Sequence, residues 1–257
     1  FLNNIGTIYH NWGQYDKALK YYEEALAIDK RLGKEGNVAI CLGNIGNVYH
    51  DWSQYDKAIE NFKESLAIAR KLGQEGSVAL CLGNIGLVYK SWGQYDKAIK
   101  HFEEALAIAR KLGQEDKVGT FLNNIGTIYH NWGQYDKALK YFKEALAIDK
   151  RLGREAGVAT VLNNVGAIYY IQEKYKTSIE YFAESVKIIE KLRKTATGDI
   201  RRDYLASQLY TYQWLTYAYT RDSDFPSAFQ AIELSRAKLL AERLARDESE
   251  VKLPEVK

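Results

Sequence analysis

An all-α, right-handed superhelical solenoid of helix-turn-helix repeats is the fold this sequence predicts, and three observations predict it. The first is a strict period. Trp12, Trp52, Trp92 and Trp132 stand forty residues apart, as do Gly6, Gly46, Gly86, Gly126 and Gly166. A period of roughly 20–50 residues marks stacked supersecondary units. The second is near-identity: residues 1–33 and 121–153 differ only at Tyr22/Phe142 and Glu23/Lys143. Copying that close leaves no loop with an individual catalytic task. The third is that every unit holds two stretches whose apolar residues recur at three- and four-residue steps.

Each unit follows the same order. In the first helix, Leu42, Ile45, Val48, Tyr49 and Trp52 form an apolar stripe. A short break follows at "WSQ" or "WGQ". The second helix carries Tyr55, Ala58, Ile59, Phe62, Ser65, Leu66 and Leu72 on one face and stops at Gly73, a C-terminal cap. Small residues at Gly46, Ala58 and Ser65 let the two helices approach, and Tyr49 and Phe62 fill the space beside them. Five such units span 1–198, the first truncated. After Lys194 the register slips, and a divergent sixth helical pair or cap occupies 199–246, followed by a frayed polar tail at 247–257. In the sixth pair, Tyr212, Leu215, Thr216 and Tyr219 take the first-helix positions and Ala228, Ile232 and Ser235 the second. Pro226 stands in the first turn, where its missing N–H costs nothing.

Composition narrows the function. The 257 residues are 46% hydrophobic and 27% charged, enough apolar material for a buried core. A net charge of +3, spread along the chain, gives no basic stripe for nucleic acid. No apolar run reaches membrane-spanning length, and the start lacks a signal peptide. Two cysteines, Cys41 and Cys81, fit reduced core residues in a cytoplasmic protein rather than a disulfide framework. The chain opens mid-repeat without Met and reads as a piece of a longer protein.

Advancing 100° per residue along the first helix of each unit separates two faces. Leu2, Ile5, Tyr9 and Trp12 fall on one. Asn3, Asn4, Thr7, His10 and Asn11 fall on the other, toward the groove. The same groove face gives Asn44, Asn47, His50 and Asp51, then Asn84, Leu87, Lys90 and Ser91. Next come Asn123, Asn124, Thr127, His130 and Asn131, then Asn163, Asn164, Ala167, Tyr170 and Ile171. Asn4, Asn44, Asn84, Asn124 and Asn164 thus form a ladder, one per unit. Asparagine is a mediocre helix former, so its recurrence asks for a reason. An amide has both donors and an acceptor. Two readings stay open: contact with the main chain of an extended peptide, or bracing between neighbouring units. His10, His50 and His130 sit a repeat apart with no completing carboxylate in view, so they read as solvated groove residues and no metal is expected. No glycine loop for phosphate, catalytic dyad or cofactor motif appears.

Leu42, Ile45-Gly46, Tyr49, Ala58, Phe62 and Ser65 resemble the tetratricopeptide repeat, whose usual unit is 34 residues. The forty-residue unit is similar to the longer repeats of kinesin light chains and of Pins-type adaptors, although the family's proline near the end of the second helix is lacking. The resemblance implies a protein- or peptide-binding scaffold whose asparagines grip a ligand's main chain. The helix "AFQAIELSRAKLLAERLA" is similar to a segment of bacterial repeat proteins with a C-terminal CHAT peptidase, which implies a regulatory arm of a larger protein. The alternative is a structural spacer or self-assembly module without a groove ligand. Phe1, Leu2 and Ile5 at an uncapped end predict end-to-end association, and Phe229, Ile232, Leu239 and Leu240 are expected to be exposed on the last helix. Light scattering at rising concentration checks the association: a growing mass is expected, and a constant monomer mass refutes it.

Overall fold

The computed structural model describes the backbone of residues 1–195 and 198–236, and the side chains of 1–194 and 210–236. Among the described residues there is no strand. The helices pair in chain order: α1 (Leu2–Asn11) with α2 (Tyr15–Arg31), α3 (Glu35–Asp51) with α4 (Tyr55–Lys71), and α5 (Glu75–Ser91) with α6 (Tyr95–Lys111). They continue as α7 (Glu115–Asn131), α8 (Tyr135–Arg151), α9 (Glu155–Ile171), α10 (Tyr175–Thr195) and α11 (Gly198–Arg221). A further helix, α12, is described over 225–236. The chain divides into two compact units, Phe1–Tyr141 and Phe142–Lys257, with the boundary inside α8.

The helix ends follow from local backbone chemistry. After α4, Gly73 takes a left-handed φ of 65°. Its N–H bonds to the Arg70 carbonyl at 3.1 Å, and that of Gln74 to the Ala69 carbonyl at 3.0 Å. This double closure satisfies carbonyls the helix leaves open. The turn inside each pair uses the same conformation: Ser53, Glu173 and Ser223 hold it at φ 59°, 60° and 64°, where Gly13, Gly93 and Gly133 stand in the other copies.

Within each pair an aromatic ring is seated on a glycine. A Cβ at Gly46 would lie 2.9 Å from the Phe62 ring, one at Gly86 3.0 Å from Phe102, and one at Gly166 2.9 Å from Phe182. Those three rings are almost wholly buried, and each contributes about 2–3 kcal/mol by leaving water. Across the same seam, the Ser65 hydroxyl of α4 donates to the Ala39 carbonyl of α3 at 2.8 Å, and Ser185 of α10 repeats this bond toward Ala159 of α9 at 2.8 Å. Cys41 and Cys81 are buried, and burial pushes both thiols up. On the exposed side, Lys30 meets Glu64, Arg70 meets Glu104 and Lys150 meets Glu184, while Lys71, Lys111 and Lys191 meet Glu35, Glu75 and Glu155.

Two sequence expectations need correction. Trp52, placed on the apolar stripe by its spacing, is 38% exposed, because it is the cap residue beyond the last helical turn. Leu72 is likewise a cap residue and is 39% exposed. Past α9 the helices are longer: α10 has 21 residues and α11 has 24, against 17 in α9. Tyr212, Leu215 and Ala228 are buried as expected, and Phe182, Ile189 and Tyr212 share one core in the second unit. Phe229 is exposed and Ile232 half-buried, whereas Leu239, Leu240 and the tail at 247–257 lie outside the described residues.

A carboxylate is buried in the second unit. Asp149 stands where two earlier repeats have Ala69 and Ala109 and the first has Asp29, and it is 3% exposed. Arg154 Nη1 is 3.4 Å from its Oδ1, but that oxygen accepts no hydrogen bond. Burial raises the carboxyl above its ordinary 3.8, and Arg154 only partly opposes this. The folded state therefore holds the proton more tightly than the unfolded one, so stability falls as pH rises through the window above 3.8. Asp149→Ala is expected to gain about 1 kcal/mol at neutral pH. That gain should shrink on acidification, as thermal unfolding across pH will read out.

Candidate peptide-binding face

In the first unit, the first helices of successive repeats present one face. Along α3 it is Ile40, Asn44, Asn47 and Asp51; along α5 it is Leu80, Asn84, Leu87 and Ser91; along α7 it is Thr120, Asn124, Thr127 and Asn131. The three- and four-residue steps place each set on one side of its helix. The face is cross-linked along the repeats. His10 Nε2 lies 2.9 Å from Asp51 Oδ2, His50 Nδ1 lies 3.3 Å from Asp51 Oδ1, and His50 Nε2 lies 2.9 Å from Ser91 Oγ. A continuous polar chain, His10–Asp51–His50–Ser91, thus ties α1, α3 and α5.

The asparagine ladder is chemically uneven. Asn4 is exposed, Asn44 and Asn84 are half-buried, and none of the three amides has a hydrogen-bond partner among the described residues. The exposed Asn47 has none either. Asn124 differs: its Oδ1 accepts from Lys90 Nζ at 2.9 Å, and its Nδ2 donates to the Thr120 carbonyl at 3.1 Å. Burial lowers the Lys90 ammonium from its ordinary value, and no carboxylate pairs with it among the described residues. Thr7 and Thr127 donate back to the carbonyls of Asn3 and Asn123, at 3.0 and 2.9 Å. Asn3 faces the Cys41 sulfur at 3.4 Å, on the packing side of the helix. Asn123 is half-buried and engaged within the chain.

The histidines are half-buried and hydrogen-bonded along the face. His10 and His50 are bridged by Asp51, the carboxylate that sequence reasoning did not bring near. His130 Nδ1 lies 3.2 Å from Asn131 Oδ1, while its Nε2 is buried without a partner. Among the described residues, no group of three His, Cys, Asp or Glu side chains is placed to hold a metal ion. No described helix is long and apolar enough to cross a membrane. Sequence reasoning also missed Ile40 and Leu80, 58% and 48% exposed, one turn before Asn44 and Asn84. The signal was legible as an apolar residue lying off the buried stripe.

In the second unit, Asn164 is half-buried and engaged, and Asn163 is 4% exposed, too buried to line a face. Tyr170 packs edge-on against Tyr175 at 5.6 Å and Trp214 at 5.2 Å.

The sequence profile of the tetratricopeptide repeat matches residues 1–71, 53–111, 77–151 and 117–191. No curated protein matches. Among solved structures, the chain is similar to BtubC (BKLC) from P. vanneervenii, at 22% identity over 95% of each chain with a TM-score of 0.77. It is similar to a Podosopora anserina putative kinesin light chain with nearly identical repeats, at 16% identity over 76% of this chain and 96% of that one, TM-score 0.61. It also resembles a Rap protein complexed with competence and sporulation factor, at 18% identity over 94% and 76% of the two chains, TM-score 0.62. At these identities the likeness is one of fold.

The uneven ladder separates amides that brace from amides that do not. Asn84→Ala is expected to leave stability unchanged or raise it by about 0.5 kcal/mol through helix propensity. Asn124→Ala is expected to cost about 1–3 kcal/mol, because it leaves the Lys90 ammonium without its acceptor. Urea unfolding of the two variants makes the comparison.

Proposed function

The chain belongs to the tetratricopeptide repeat family, and from that premise we propose that it is a non-catalytic scaffold binding an extended segment of another protein along the first-helix face. The observation that carries this reading is the run of unpartnered amides, Asn4, Asn44 and Asn84, on one register of that face. An amide without a partner gives nothing to the helix holding it, yet it offers both donor and acceptor to a ligand's main chain. Ile40, Leu80 and Leu87 lie beside the amides and give apolar contact to the segment's side chains. The similar Rap protein, solved in complex with a factor, supports ligand binding by this fold. In a longer protein the array would act as a regulatory arm, reporting the bound segment to an effector.

A second reading, a spacer or self-assembly module, is favoured by the His10–Asp51–His50–Ser91 chain and the paired outer charges. These stiffen the array whether or not a ligand is present.

The test is selection of a peptide library displayed on phage, run on the natural chain and on the Asn44→Ala/Asn84→Ala variant. Enriched peptides that bind the natural chain at least tenfold more tightly than the variant, with helix content unchanged, are expected. Absence of enrichment moves the protein to the spacer reading.

A further inference from the structure

Lys90 occupies the repeat position held by His10, His50 and His130 in other copies. His10 and His50 both reach the Asp51 carboxylate, at 2.9 and 3.3 Å. The position of Asp51 is filled by Ser91 in the next repeat and by Asn131 in the one after. Lys90 therefore sits on the same register with no carboxylate paired to it among the described residues, and it settles for the neutral oxygen of Asn124 at 2.9 Å. That bond ties Asn124 back into the chain, unlike Asn44 and Asn84: its oxygen accepts from Lys90 and its nitrogen donates to the Thr120 carbonyl.

We propose that Lys90 is a latch on the amide ladder, opened by a carboxylate of the bound segment. The proposal rests on the groove reading above and names the partner more closely: an extended segment carrying Asp or Glu opposite Lys90. A carboxylate is a stronger acceptor for an ammonium than an amide oxygen is. The lysine stem is flexible enough to turn its head from one acceptor to another on the same face. Once Lys90 Nζ turns to the carboxylate, Asn124 Oδ1 is released to accept a main-chain N–H of the segment. The run of available amides then extends from Asn84 to Asn124. One charged side chain on the ligand thus does two things: it neutralises a half-buried ammonium and adds a rung to the ladder. Burial alone accounts for the lowered pKa of Lys90, in keeping with a cation that lacks a counter-charge.

The probes are peptides enriched from the displayed library on the natural chain, synthesised as found and with each Asp or Glu replaced by Asn or Gln. They are titrated against the natural chain, Lys90→Met and Lys90→Gln, with circular dichroism confirming equal helix content; Lys90→Gln keeps a donor toward Asn124 should Lys90→Met unfold. On the natural chain, loss of one carboxylate is expected to weaken binding about tenfold. Lys90→Met should abolish that difference and bind the amide form at least as tightly as the natural chain does, since Asn124 is then released. Lys90→Gln should abolish the difference without that gain. A carboxylate preference that persists in Lys90→Met, or that is absent from the natural chain, overturns the latch. If such peptides still lose binding in Asn44→Ala/Asn84→Ala, the latch falls and the groove reading stands. If no peptide is enriched, both fall.

Discussion

The contact on which the rest depends is an aromatic ring resting on bare backbone. Phe62 lies against Gly46, Phe102 against Gly86 and Phe182 against Gly166, so close that an added Cβ would stand only 2.9, 3.0 and 2.9 Å from the rings. A helix normally loses stability by holding glycine in its interior. Here the ring recovers that cost, because it fills the seam between two helices joined by a short turn. Fixing the distance between paired helices also fixes their rotation. Rotation decides which residues turn inward and which remain on the open face. The asparagines stand on that face because the glycine two positions further along the same helix turns inward to the ring.

Much of this was legible in the sequence. The helix pairs, their ends and the seam follow from periodicities within about twenty residues, a range over which helical geometry is stiff. The position of Asn44 and Asn84 on an open face followed from the same rotation. What the sequence did not disclose lies one repeat away. The approach of Asp51 to His10, of Asn3 to Cys41 and of Lys90 to Asn124 depends on how far one helix pair is shifted against the next, and no residue pattern within a pair encodes that shift. Trp52 and Leu72 were misplaced for a third reason: a helical wheel continues past the last turn, whereas the backbone does not.

The copies are nearly identical in sequence and yet unequal in chemistry. A single exchange of His for Lys at position 90 gives Asn124 a partner that Asn44 and Asn84 lack. An exchange of Ala for Asp at position 149 places an incompletely bonded carboxylate in an otherwise apolar seam. Substitution at one repeat position acts on the neighbouring repeat as well as on its own, since bonds such as Lys90–Asn124, Arg70–Glu104 and Lys150–Glu184 cross from one copy to the next. A uniform scaffold can therefore present a face that is not uniform.

The outer charges carry one more implication. Arg70 reaches forward by 34 residues to Glu104, and its neighbour Lys71 reaches back by 36 to Glu35. Lys30 and Lys150 keep the forward interval, and Lys111 and Lys191 the backward one. Each bond joins one kind of position to another kind exactly one copy along. Removal or insertion of a whole forty-residue unit therefore leaves every such junction with a matching partner. Unequal exchange within the gene could lengthen or shorten the array while the edges of the remaining units still fit, so the number of copies is free to vary where their internal sequence is not.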